Sequence, residues 1–231
     1  MIHWLTQSHT ELPDPSRLID EGGYLSEAEY EKFLQLKMEK RRNDWLLGRW
    51  TAKRLLQTVI WEKQGITLPL DMITIGNNAD GVPNYQLPID NCQLSISLSH
   101  SHGRAFVVAI DKLNVPVGAD MEQIEPRQEE FIDDYFTETE AILVRQVEDG
   151  ARDMMVTAVW SAKEAVLKAL HLGLSVDTRA VRCLMEPETR PPKTWTRYII
   201  RYNQEWLPRP APPLTGWWQV EDGFVLTLAV S

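Results

Sequence analysis

Apolar and charged positions alternate with a helical period from Ser26 to about Gln64, and Ser26 with Glu29 has the spacing of a capping box. The segment is therefore expected to form two helices. After a turn at Gly65 the pattern shortens to a strand near Met72 to Ile75. A hairpin follows, Leu94 to Leu98 and Ala105 to Ile110, around Ser101-His102-Gly103. A later helical segment carries Trp160 to Lys168, then come Gly173, a strand near Ala180 to Leu184, and a hairpin of Trp217 to Val220 with Phe224 to Val230 around Glu221-Asp222-Gly223. Both halves thus read helix, strand, hairpin, and Trp50-Thr51-Ala52-Lys53 is echoed 110 positions later by Trp160-Ser161-Ala162-Lys163. The expected architecture is α+β and pseudo-duplicated: two similar α/β lobes, 1–114 and 115–231, stacked with a ligand cleft between them. The boundary falls near Asn114-Val115-Pro116, and the proline-rich stretches Pro187 to Pro192 and Pro208 to Pro213 read as surface loops.

Composition narrows the function. The 231 residues are 43% hydrophobic and carry a net charge of -9, which suits an ordinary globular core and repels nucleic acid and anionic membranes. Neither kind of partner is expected. No run of about 18 apolar residues occurs, and the first residues lack a basic start followed by an apolar stretch, so a soluble cytoplasmic protein is expected. The two cysteines, Cys92 and Cys183, have no zinc-ligand spacing and agree with a reducing compartment.

Three clusters carry candidate chemistry. In Gly118-Ala119-Asp120-Met121-Glu122 an extended backbone points Asp120 and Glu122 to the same side. A helix through Trp160 to Lys168 puts Trp160, Glu164 and Lys168 on one stripe, adding a third carboxylate beside an ammonium. Such a set suits magnesium carrying a phosphate, although Glu164 and Lys168 could equally form a structural i, i+4 pair. The second cluster is the run of seven basic residues between Lys37 and Arg54. Set against Glu39 and Asp44 it is locally +5. It reads either as a solvated helix face or as a phosphate site, and the like charges of Arg49 and Lys53 at i and i+4 favour an anion between them. Third, Ser97-Leu98-Ser99-His100-Ser101 ends an apolar strand with hydroxyls and an imidazole. No Gly-x-Ser-x-Gly elbow is present there, so ligand hydrogen bonding is favoured over nucleophilic catalysis.

Together these segments resemble the 4'-phosphopantetheinyl transferase family in its larger, two-lobed type. Gly118-Ala119-Asp120-Met121-Glu122 resembles its Gly-x-Asp-x-Glu signature, and Trp160 to Lys168 its Trp-x-x-Lys-Glu-Ala-x-x-Lys signature. Further similar segments are Trp45-Leu46-Leu47-Gly48-Arg49, Gly81-Val82-Pro83, Leu98-Ser99-His100-Ser101 and Tyr135 to Glu140. Val82 and Ser97 stand where the family often has lysine and asparagine. The resemblance implies transfer of the phosphopantetheine arm of coenzyme A to a serine of an apo acyl or peptidyl carrier protein. It implies Mg2+ on Asp120, Glu122 and Glu164, with Lys168 on the pyrophosphate and Glu164 or Glu140 as the base. Arg42, Arg49, Lys53, Ser99, His100, Lys163 and Lys168 are expected to bind coenzyme A. The segment from Gln123 to Glu140 is expected to meet the carrier, and a monomer suffices. A magnesium-dependent phosphohydrolase and a non-catalytic carrier-binding relative are the alternatives.

Overall fold

The structure, a computed structural model, describes residues 1–14, 18–19 and 22–231. The chain divides into two compact units, Met1–Asn114 and Val115–Ser231.

In the first unit, strand β1 (Ile2–Ser8) precedes helices α1 (Glu27–Gln35) and α2 (Glu39–Gln64), followed by strands β2 (Thr74–Asn77), β3 (Pro83–Gln86), β4 (Ser95–Ser101) and β5 (Arg104–Ile110). The α1 start is the expected capping box, with the Ser26 amide donating to Glu29 at 2.9 Å. The α2 helix ends where Gly65 takes a left-handed φ of 69°, which frees the chain to turn at no side-chain cost. Its apolar stripe, Ala52, Leu55, Leu56, Val59 and Ile60, packs on Ile96, Val107 and Ala109. Strand β5 is apolar along most of its length because it runs between β1 and β4, antiparallel to both, under that helix. Strands β2 and β3 pair separately.

The second unit also runs strand, helices, four strands, but with three helices in place of two. Strand β6 (Val117–Gln123) precedes helices α3 (Glu129–Tyr135), α4 (Glu138–Arg145) and α5 (Asp149–Ala169), then strands β7 (Val181–Leu184), β8 (Thr196–Tyr202), β9 (Thr215–Glu221) and β10 (Phe224–Val230). The strands form one antiparallel sheet in the order β6-β10-β9-β8-β7. The α5 helix supplies its core with Met155, Val159, Ala162 and Val166 against Val225 and Ala229. Each of the two expected hairpins turns on two residues with positive φ: His102 (45°) with Gly103 (75°), and Asp222 (49°) with Gly223 (80°). That pair of angles matches the right-handed twist of the flanking strands.

A second correspondence lies in the cores. In the first unit the Glu29 carboxylate accepts from the Ser26 amide and, at 2.9 Å, from the Ile75 amide of β2, and it pairs with Lys53 of α2. In the second unit the Glu140 carboxylate accepts from the Thr137 amide at 2.7 Å and from the Cys183 amide of β7 at 2.7 Å, and it pairs with Lys163 of α5 at 2.9 Å. In both, a glutamate that caps a short helix reaches a strand amide and is neutralised by a lysine of the long helix. In the second unit this pair covers the outer edge of β7, the last strand of its sheet, where unpaired backbone groups would otherwise be exposed.

Strand β1, strand β3, strand β8 and helices α3 and α4 are additional to the elements expected from the sequence. Among the described residues no helix is long and apolar enough to cross a membrane.

Candidate active site in the second unit

The site rests on the contact of β6 with α5. A Cβ at Gly118 would overlap the Ala165 carbonyl and the Ala169 amide, so glycine is what lets β6 lie against the helix backbone. Two residues on, Asp120 is 3% exposed and points at the same helix. The Ser161 hydroxyl donates to its Oδ2 at 2.7 Å, and Lys168 Nζ donates to its Oδ1 at 2.7 Å and to the Ala119 carbonyl at 3.2 Å. Because Ser161 has one hydroxyl proton and gives it to Asp120, Thr227 of β10 is the donor in the 2.8 Å Ser161–Thr227 contact. Thr227 lies opposite Asp120 in the β6–β10 register, so sheet and helix fix the carboxylate from two sides.

Trp160, Glu164 and Lys168 form a half-buried stripe on α5, while the residues between them are buried. Phe131 and Tyr135 meet Trp160 edge-on, each 5.1 Å between centroids, and give the stripe an apolar end. Glu164 has no hydrogen-bond or ion-pair partner among the described residues. Its carboxyl is pushed up to about 7, first by burial and then by the charges of Asp120 and Glu122, against the pull of Lys168. Near neutral pH it can therefore both take and give a proton. Asp120, Glu122, Glu164 and Lys168 are thus brought into one neighbourhood. Among the described residues no three carboxylate, imidazole or thiol side chains are already arranged to hold a metal ion. In this structure the Lys168 ammonium supplies the positive charge at Asp120.

Three expected site residues are corrected. Lys53 is fully buried and donates to the Tyr24 carbonyl at 2.5 Å, the Leu70 carbonyl at 3.0 Å and the Glu29 carboxylate. An ammonium has three donors and all are used, so none is left for a phosphate. The anion that offsets the Arg49 and Lys53 charges is Glu29 itself. Lys163 repeats the arrangement with the Thr178 carbonyl at 3.0 Å, the Val181 carbonyl at 2.5 Å and Glu140. Glu140 is 0% exposed with both oxygens engaged, and it is a helix cap and lysine partner where a base was expected.

The remaining expected residues belong to the first unit. Arg49 is 6% exposed, donates to Asn77 Oδ1 at 3.2 Å and stacks over Trp45 at 4.4 Å. Its Nε has no hydrogen-bond partner, and burial lowers its pKa to about 10 against the opposing effect of Glu29. Arg42 lies 4.5 Å over Phe33, its Nε likewise without a partner. Both guanidiniums lie over aromatic faces, and neither forms an ion pair among the described residues. On β4, Ser99 is buried and His100 exposed, as strand alternation requires.

Ser161 and Thr227 were not singled out from sequence. The available signal was Thr227 as the one polar residue inside Phe224–Val230.

Residues 116–211 match the 4'-phosphopantetheinyl transferase superfamily. That span contains both Gly118 to Glu122 and Trp160 to Lys168. No curated protein matches the chain. Among solved structures, the holo-[acyl-carrier-protein] synthase of Thermotoga maritima is 17% identical, with a TM-score of 0.38 over 59% of this chain and 74% of that one.

Proposed function

We propose that the protein is a 4'-phosphopantetheinyl transferase of the two-lobed type, moving the phosphopantetheine arm of coenzyme A to a serine of an apo acyl or peptidyl carrier protein and releasing adenosine 3',5'-bisphosphate. The observation that carries the reading is that the superfamily match spans both signatures and that the side chains of these signatures converge: Asp120 bound to Lys168, with Glu164 feeling both. The matching element order, hairpin turns and buried glutamate–lysine pairs of the two units support a duplicated origin.

Asp120, Glu122 and Glu164 are the residues that would hold Mg2+. Three carboxylates fit a hard cation by chemistry, and the repulsion from Asp120 and Glu122, which adds to burial in raising Glu164, is what a cation would relieve. When bound, the ion supplies Lewis-acid stabilisation of charge on the pyrophosphate. The chain's own residues do the rest. Ser161 and Thr227 orient Asp120, Lys168 offers an ammonium to a pyrophosphate oxygen, and Glu164 accepts the proton of the attacking serine. Arg42, Arg49, Ser99 and His100 bind coenzyme A, the two arginines taking its 3'-phosphate. The protein works as a cytoplasmic monomer. Glu164→Gln keeps the fold and abolishes conversion of an apo acyl carrier protein to its holo form; near-normal turnover by this variant would sink the assignment.

A further inference from the structure

The outer face of the β7–β8 ribbon, turned away from α5, carries Arg182, Arg197 and Arg201, all exposed. Among the described residues none of the three forms an ion pair, whereas neighbouring Arg179 is held by Asp177 at 2.6 Å. In a chain of net charge -9 this is a local inversion of sign. Arg182 and Arg201 are also direct cross-strand partners, and like charges in that position repel unless an anion joins them.

The cations are interleaved with apolar surface. Ile199, between Arg197 and Arg201 on β8, is 51% exposed, and Trp206, just past the strand, is 48% exposed. Two concavities of about 700 and 540 Å³ share Leu184 and Arg201 and run along this face. Glu138 and Glu186 also line them, but arginines outnumber carboxylates, and an open groove of cation and hydrocarbon suits an extended polymer better than a single small anion. Strand addition is closed to it, because Lys163 and Glu140 already occupy the outer edge of β7.

We propose that this groove docks an acidic polypeptide segment with interspersed apolar side chains, carboxylates bridging Arg182 and Arg201 and an apolar residue covering Ile199. Planar guanidiniums take carboxylates in bidentate fashion, and the negative charge of the rest of the chain directs an acidic segment to this face. The inference does not rest on the transferase reading. None of these residues belongs to the site at Asp120.

The test uses the full chain and a fluorescein-labelled (Glu-Leu)6 peptide in fluorescence anisotropy, with (Lys-Leu)6 and inorganic polyphosphate as comparators. The expected results are (Glu-Leu)6 binding that weakens with salt, at least tenfold preference over (Lys-Leu)6, and at least tenfold loss in Arg182→Glu/Arg201→Glu. Ile199→Asp should also weaken it. All three positions substituted are exposed, so thermal melts of the variants should match wild type. Equal binding of the two peptides, or unchanged binding by the double variant, would overturn the proposal. So would polyphosphate binding that is tighter than the peptide and equally arginine-dependent, since the groove would then read charge without a polypeptide.

Discussion

Lys53→Met separates a structural lysine from a ligand-binding one. In the native protein the Lys53 ammonium is fully buried, with two carbonyls and the Glu29 carboxylate as partners. Methionine preserves most of the volume and removes the charge, leaving Glu29 buried and ionised with only its amide partners at Ser26 and Ile75 and the Ser26 hydroxyl. Removing one partner of a buried pair costs about 3–5 kcal/mol. That is a large part of the roughly 5–15 kcal/mol that holds a domain together. The double variant Glu29→Gln/Lys53→Met, in which no charge is stranded, should recover part of the loss. Lys163→Met should behave in parallel in the second unit, because Lys163 has the same three kinds of partner. Urea unfolding followed by tryptophan fluorescence reads both units, as the tryptophans fall in each. The reasoning is refuted if Lys53→Met unfolds within about 0.5 kcal/mol of wild type yet binds coenzyme A markedly less well. That outcome would return Lys53 to the ligand.

Two further predictions concern the site at Asp120. Gly118→Ala forces a methyl into the α5 backbone, which cannot rotate aside as a side chain could, so a loss of about 3 kcal/mol or more and reduced soluble yield are expected; a wild-type melting temperature would contradict the packing described. Glu164 rises from 4.5 to about 7 in the folded state, so the fold keeps a proton that the unfolded chain has lost, and stability falls as pH rises through that window. Full burial would make this about 3 kcal/mol; for a half-buried group, screening brings it to about 1–2 kcal/mol. Measured in EDTA, Glu164→Gln should gain that much on wild type between pH 5 and pH 8, and parallel pH curves for the two proteins would show that the carboxyl is not raised.

Much of the site was legible because it depends on local periodicity. Residues two apart on a strand share a side, which put Asp120 with Glu122, and residues four apart on a helix share a face, which put Glu164 with Lys168. The two hairpins were legible from His102-Gly103 and Asp222-Gly223, pairs suited to positive φ. Lys53 and Lys163 were misread because a charged residue on a helix is ordinarily at the surface. Their burial depends on partners 17 to 29 positions away for Lys53, and no local pattern contains those. One clue was present in the repeated Ser26-x-x-Glu29 and Thr137-x-x-Glu140 spacing, which marks both glutamates as caps and so removes them from the pool of free carboxylates. Strand β8 escaped because Thr196–Tyr202 places arginines on its outward face, a pattern that reads as loop when apolar runs are sought.

The central claim is transfer, and intact mass of an apo acyl carrier protein after incubation with this protein, coenzyme A and Mg2+ tests it most directly. The account predicts a gain equal to one phosphopantetheine, abolished by EDTA and by Glu164→Gln. An unchanged mass across several unrelated acyl and peptidyl carrier proteins, under conditions where the protein binds coenzyme A, would contradict it.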